Sequence, residues 1–287
     1  MALTFEISDD TSISLDEYVQ YVRDNVDTSD EDSIAASAPM LRRLINNKTI
    51  VADRVNAELR NWRDFQKGNS YTAQTLVLHM DERFFVRANV WAPRSSNAAL
   101  AEKEQDLYFY GVAHDHNFTF MTGGYIGGGY ETLIYEYDGW SYGGTRDVDL
   151  AFLEHTYLPQ GKIMLYRESR DVHEQGFPAD YSLSINLMTL REEGNRPRRR
   201  QLFFDVPSKT VTETLDSEVG RVMMTEIAKV VGDARSASLL CDLCETHPNQ
   251  RLRAYALDAL RVLEPSRQDE LDVLAERIGN VKMLTAS

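Results

Sequence analysis

The feature that most constrains the fold is a change of texture in the middle of the chain. From about Tyr71 to Val211, short runs rich in Val, Ile, Tyr, Phe and Thr are separated by Gly, Pro and Asn. "TAQTLVLHM", "RFFVRANVWAP", "DLYFYGVA", "NFTFMTGGYIGG", "TLIYEYDG", "GKIMLYRES", "YSLSINLMTL" and "RRQLFFDV" all read as strands, because β-branched and aromatic side chains suit a pleated, half-buried surface. About eight such runs without alternating helices predict a sandwich or barrel rather than a parallel α/β sheet. On both sides the apolar period is that of a helix. "SLDEYVQYVRDNV", "APMLRRLINN" and "TIVADRVNAELRNWRDFQ" cover residues 14–66, with Ser14 and Glu17 at capping-box spacing. "EVGRVMMTEIAKVVG", "SASLLCDLCETH", "QRLRAYALDALRVL" and "DELDVLAERIGNV" follow Asp216. The fold class is therefore β with α-helical extensions: a helical segment over residues 1–68, a β-barrel over 69–212 and a helical segment over 213–287. "HPNQRLRAYALDALRVLEP", bounded by prolines, has the look of a HEAT-like helical hairpin and makes the last segment a candidate docking layer.

Charge and cysteine content narrow the function. A net charge of −14 over 287 residues argues against general nucleic-acid or anionic-membrane binding, both of which need a basic footprint. The basic cluster "RPRRR" at 196–200 reads as a solvated hairpin tip. No apolar run approaches the ~18 residues of a membrane span, and "MALTFEISDD" lacks the basic and apolar regions of a secretory signal. Two cysteines, Cys241 and Cys244, fit a reducing cytoplasm. Their CxxC spacing lies inside a helical pattern with no second pair, so both are expected to be small buried helix residues.

The chemistry concentrates in "AHDHNF". His114 and His116 are separated by one residue, so on a strand both imidazoles face the same space while Asp115 faces the other side as a structural residue. Imidazole is the commonest neutral metal ligand, and a third histidine from a later antiparallel strand would complete a preorganised site. Two residues compete for that place: His173 in "RESRDVHEQGFP" and His155 in "LEHTYLP". His79 and His247 read as ordinary core or surface histidines. The glycine-rich run 123–129 precedes a strand and lacks the lysine of a phosphate loop, so it reads as a turn or bulge at a barrel corner. That would put Tyr125, Tyr130 and Tyr135 at the cavity mouth.

Gly111, His114, His116, the glycines of 123–129 and the later His173 resemble the cupin superfamily. The "HDH" spelling, a single histidine about sixty residues on and the apolar strand "SLSINLM" are similar to the thiol dioxygenases such as cysteine dioxygenase. The resemblance covers residues ~71–210. It implies a cupin-type double-stranded β-helix barrel, with Fe(II) held by His114, His116 and His173; Asp171 and Glu174, beside His173 in the sequence, favour it over His155 as the third ligand. It also implies that Arg87, in "FFVRANV", holds a substrate carboxylate by a bidentate contact, and it leaves Tyr125 and Tyr135 as candidates for substrate contact. The chain departs from the pattern in three places. Phe120 and Met121 stand where common cupins carry a glutamate ligand, "LPQGKIML" matches the second cupin motif loosely, and Met188 stands where cysteine dioxygenases carry a tyrosine. The last departure speaks against free cysteine as substrate.

The implied function is an oxygenase joining dioxygen to a small or carrier- or peptide-bound substrate with an acidic group. Arg87 or Arg167 would hold that group; both also read as surface ion-pair residues of an acidic chain, Arg167 more so than Arg87. Two alternatives share these residues: a non-oxidative isomerase or lyase using zinc, manganese or nickel, and a non-catalytic scaffold whose C-terminal helices bind a protein partner.

Overall fold

The computed structural model describes residues 3–67, 69, 74–139, 146–190, 201–215, 219–247 and 250–277. Ser14 opens the first helix, α1 (Leu15–Asn25), with a complete capping box: its hydroxyl accepts from the Glu17 amide and the Glu17 carboxylate accepts from the Ser14 amide. Helices α2 (Glu31–Ala36), α3 (Ala38–Asn46) and α4 (Ile50–Arg60) follow. A strand the helical pattern hides, β1 (Leu3–Phe5), precedes them all.

The central region contributes β2 (Thr75–Met80), β3 (Phe84–Trp91), β4 (Ala113–His114), β5 (Phe120–Ile126), β6 (Glu131–Glu136), β7 (Ala151–Tyr157), β8 (Ile163–Tyr166), β9 (Asp171–Gln175), β10 (Ser182–Thr189), β11 (Gln201–Asp205) and β12 (Thr210–Leu215). The described residues thus hold twelve strands, not about eight. They form two six-stranded antiparallel sheets, β1-β8-β5-β10-β3-β2 and β12-β11-β4-β9-β6-β7, which do not close on each other through strand pairing among the described residues. "DLYFYGVA" is not a strand. Asn97 caps the amides of Ala99 and Leu100, and the Ala- and Glu-rich run behind it carries helix α5 (Ala98–Tyr108) through the first residues of that stretch.

The pairing has a simple order. β6 pairs with β7, β5 with β8, β4 with β9 and β3 with β10, all antiparallel. Strands β3 to β10 are therefore one long two-stranded ribbon, folded at the β6–β7 connection, whose successive rungs fall alternately in the two sheets. Strand alternation then sorts the side chains. Phe85, Trp91, Phe120, Met164, Tyr166 and Met188 of the first sheet meet Ile134 of the second in a core between the sheets. Val86, Ala88, Met121, Ile163, Leu165, Ile185 and Leu187 face the other way and pack under Tyr18, Val22, Leu41, Leu44 and Ile45 of the N-terminal helices. A further cluster of Tyr135, Tyr137, Val172, Leu202 and Phe204 lies on the second sheet.

The described residues divide into two compact units, one running to 190 and taking up 201–214, the other from 215 on. The second unit comprises α6 (Val219–Val231), α7 (Ala234–Thr246), α8 (Gln250–Leu263) and α9 (Gln268–Arg277) around Leu240, Cys244, Leu257, Leu260, Leu271 and Leu274. The proline-bounded segment proposed as a hairpin supplies one helix, α8, which packs against α6 and α7. Cys244 is buried in α7, whereas Cys241 is only half-buried. The "RPRRR" cluster lies outside the described residues. No described helix is long and apolar enough to cross a membrane.

Candidate metal centre

The second rung of the ribbon builds the site. His114 on β4 stands opposite His173 on β9, so the two imidazoles are cross-strand neighbours on the inner face. Strand β4 ends there, and His116 lies just beyond it, held by its carbonyl, which accepts from the Ser169 amide at 2.8 Å. The three rings converge. His173 Nε2 is 3.1 Å from His114 Nε2 and 3.1 Å from His116 Nε2. One ligand nitrogen from each of the three lies within 4.8 Å of the others, and among the described residues this is the group of His, Cys, Asp and Glu side chains that could hold a metal ion.

Protonation states follow from the surroundings. His114 Nδ1 is 2.9 Å from the Val112 carbonyl, which only accepts, so Nδ1 carries the hydrogen and Nε2 presents its lone pair. Burial lowers the pKa of His114. It holds His173 well below the ordinary histidine range, with the neighbouring His114 adding to the effect. His116 is also held well below, first by burial and then by the other two histidines and Arg87. Two lone pairs brought this close repel unless a ring N–H of one neutral imidazole, or a cation, lies between them. Both contacts of His173 Nε2 have a spacing that suits a shared cation: nitrogens about 2.1 Å from one ion, at angles of 90–110°, would stand roughly 3.0–3.4 Å apart. The donor set fits a divalent metal.

Aromatic rings surround the imidazoles. Phe118 and Phe120 lie 4.9 Å from the His116 ring, Tyr166 4.6 Å from the His173 ring and Phe203 5.8 Å from the His114 ring. Sequence reading missed Tyr166. Its signal was the alternation in "IMLY", which puts Met164 and Tyr166 on one inner face. Arg87 lies two residues from Phe85 on β3 and shares its inner face, close enough to His116 for its charge to disfavour protonation there.

Asp115 turns away from the rings as alternation requires. It is fully enclosed, and burial pushes its carboxyl up to about 6.

The other candidates lie elsewhere. His155 sits on β7 with its side chain 48% exposed, 2.5 Å from Glu131, and does not reach the group. Tyr125 is buried on the outer face of the first sheet, where its hydroxyl donates to the Asn47 carbonyl. Tyr135 belongs to the cluster with Val172 and Phe204, on the opposite face from His173. Neither tyrosine is brought to the histidines, because each is one residue out of phase with the inner face. Tyr130 is in the core between the sheets. Arg167 is an ion-pair residue but not a surface one: its guanidinium is enclosed with Asp171. His79 lies near Arg23 and Asp81, and His247 ends α7.

No protein-family model matches the chain, and no curated protein matches its sequence significantly. Solved structures to which it is similar include the hydroquinone 1,2-dioxygenase PnpCD in complex with Cd2+ and 4-hydroxybenzonitrile, at 9% identity over 44% of this chain and 68% of that one, TM-score 0.26. A cupin domain from Bordetella pertussis Tohama I is 11% identical over 42% of this chain and 96% of that one, TM-score 0.23. The hydroquinone 1,2-dioxygenase from Sphingomonas sp. TTNP3 with 4-hydroxybenzoate bound is 7% identical over 46% and 77%, TM-score 0.28. Likenesses this distant leave the chemistry to be read from the side chains of this chain.

Proposed function

We propose that this chain is a cupin-type, non-heme iron-dependent oxygenase whose metal ion is held by His114, His116 and His173, acting on a small or carrier- or peptide-bound substrate with an acidic group. The observation that carries the reading is the convergence of three imidazoles, with His173 Nε2 3.1 Å from the Nε2 of both His114 and His116, in an otherwise aromatic interior. The ribbon of paired strands supports reading the β region as a double-stranded β-helix, and residues 1–68, 69–212 and 213–287 as helical, barrel and helical parts. The last part, HEAT-like in its sequence, is the proposed surface for a protein partner. Free thiols at Cys241 and Cys244 support a cytoplasmic setting.

Ferrous iron, when bound, would supply open coordination positions for substrate and dioxygen and the redox chemistry that joins them. The chain's own residues do the rest. The three imidazoles fix the geometry and, being neutral, leave the positive charge of the ion uncompensated. Arg87, on the inner face and always charged, would bind the acidic group of the substrate and set its orientation. Phe118, Phe120 and Tyr166 exclude water from the reacting atoms.

The test is metal content and oxygen uptake of anaerobically purified protein, wild type beside His116→Ala. Near-stoichiometric iron in the wild type, lost in the variant, with substrate-dependent oxygen uptake by the iron-loaded form, is the expected result. Zinc, manganese or nickel without oxygen uptake would replace the oxygenase by a non-oxidative enzyme. No metal in the wild type would sink the reading.

A further inference from the structure

We propose that Asp115 is a positioning residue for the metal centre: its carboxylate, tied to Leu202 and Tyr137, steers His116 out of the sheet and into line with His114 and His173. The inference rests on reading those three histidines as metal ligands.

The argument starts from the shortness of β4. In a regular antiparallel ladder every other facing pair exchanges two backbone hydrogen bonds, and the Asp115 amide, which donates to the Leu202 carbonyl, marks Asp115 and Leu202 as such a pair. Ala113 and His114 are in register with Phe204 and Phe203, so the next facing pair is Asp115 and Leu202. Only half of the regular exchange is made there. The Asp115 amide donates to the Leu202 carbonyl at 3.1 Å, but the Leu202 amide donates to the Asp115 side chain, Oδ1, at 2.6 Å. The carboxylate has taken the place of the backbone carbonyl as ladder acceptor. Both Leu202 groups are satisfied, and the main chain beyond Asp115 is released from the strand direction.

The second carboxylate oxygen fixes where the released chain goes. Asp115 Oδ2 accepts from the Tyr137 hydroxyl at 2.5 Å. Tyr137 follows β6, and its amide donates to the Arg170 carbonyl in the turn before β9. In that same turn the Ser169 amide donates to the His116 carbonyl. Asp115 therefore ties the exit of β4 to the segment that carries His173, from the face opposite the imidazoles. All three anchoring residues are buried, Asp115 completely. Strand alternation alone does not account for His116, which lies outside β4. With the carboxylate pinned on one side, the His116 side chain projects to the other, where its Nε2 meets that of His173.

Titration with Co(II), whose visible spectrum reports ligand geometry, tests this on the full-length protein. The variants are Asp115→Ala, Asp115→Asn and Tyr137→Phe, with Ser37→Ala as a control that removes a buried hydrogen bond, to the Ile34 carbonyl, in the N-terminal helices. Partners behind metal ligands typically govern affinity by 10–100-fold. Tyr137→Phe, which keeps the ring in its apolar cluster, is expected to weaken Co(II) binding about tenfold and to shift the ligand-field bands. Asp115→Ala is expected to weaken it more, and Asp115→Asn, which keeps an acceptor for the Leu202 amide, to recover part of that loss. Ser37→Ala is expected to leave both affinity and spectrum unchanged. Wild-type affinity and spectrum in folded Tyr137→Phe and Asp115→Asn would overturn the positioning role and leave the three-histidine site standing. Equal weakening in Ser37→Ala would also overturn it, by reducing the effect to general destabilisation. A wild-type protein that takes up no Co(II) would instead remove the metal reading beneath it.

Discussion

Arg167 and Asp171 close the turn that delivers His173. Asp171 accepts from Arg167 Nε at 2.9 Å, from Nη2 at 2.6 Å and from the Arg167 amide at 2.7 Å, and Nη2 also donates to Glu136 at 2.9 Å. The Asp171 side chain is wholly enclosed and that of Arg167 is 8% exposed. Removing one partner of such a pair leaves a buried charge without compensation, at a cost of roughly 3–5 kcal/mol. Arg167→Met is therefore expected to destabilise the protein by about that amount in denaturant unfolding. Adding Asp171→Asn to it should recover part of the loss, because the stranded charge is gone. If Arg167→Met costs less than about 1 kcal/mol, the range for an exposed pair, the pair is not closed in the way its burial implies. The sequence suggested that Arg167 is a surface ion-pair residue. What it could not show is that a four-residue return folds its charge onto that of Asp171.

Among the elements, the turn between β5 and β6 provides a sharp contrast between adjacent glycines. Gly129 has φ +81°, and a Cβ there would overlap the carbonyl of Leu158. Gly128 has nothing within 4 Å of where its Cβ would lie. Gly129→Ala is expected to cost about 1–3 kcal/mol for the backbone conformation, and more for the overlap, whereas Gly128→Ala should stay within about 0.5 kcal/mol. Thermal unfolding of the two variants side by side measures the difference, and equal effects would refute this description of the turn. The sequence announced this element well, since glycines between two aromatic runs have few other uses. It announced β4 and β9 poorly. "AH" and "DVHEQ" are too short or too polar to read as strands alone, and they are strands because each lies on the ladder of the other and of β11 or β6. The two-residue spacing of His114 and His116 was legible, but its cause was not. Alternation along one strand suggested it, while the chain uses a strand end and a pinned aspartate. For Tyr125 and Tyr135 the residue type was suggestive and the phase decided otherwise.

At the scale of the whole molecule, the N-terminal helices are a working part of the β unit. They cover the outer face of the first sheet, so Val86, Met121, Ile163, Ile185 and Leu187 are buried only because Leu41, Leu44 and Ile45 lie over them. The histidines belong to this unit, and the core of the second unit is made of its own residues. A ligand that binds the folded state alone stabilises what its site belongs to by RT ln(1 + [L]/Kd), about 2.7 kcal/mol at a hundredfold excess over Kd. Saturating Co(II) is therefore expected to raise the unfolding free energy of the first unit by about that much, and a chelator to remove the gain. His173→Ala should abolish the response without changing the helical unit. Leu260→Ala leaves a cavity in the second core, at a cost of about 2–5 kcal/mol, and this variant tells the two transitions apart. If only the transition unaffected by Leu260→Ala moves with metal, the site and its stabilisation are confined to the β unit. If both move together, the helical tail is thermodynamically linked to the metal centre, and its role extends beyond presenting a surface to partners.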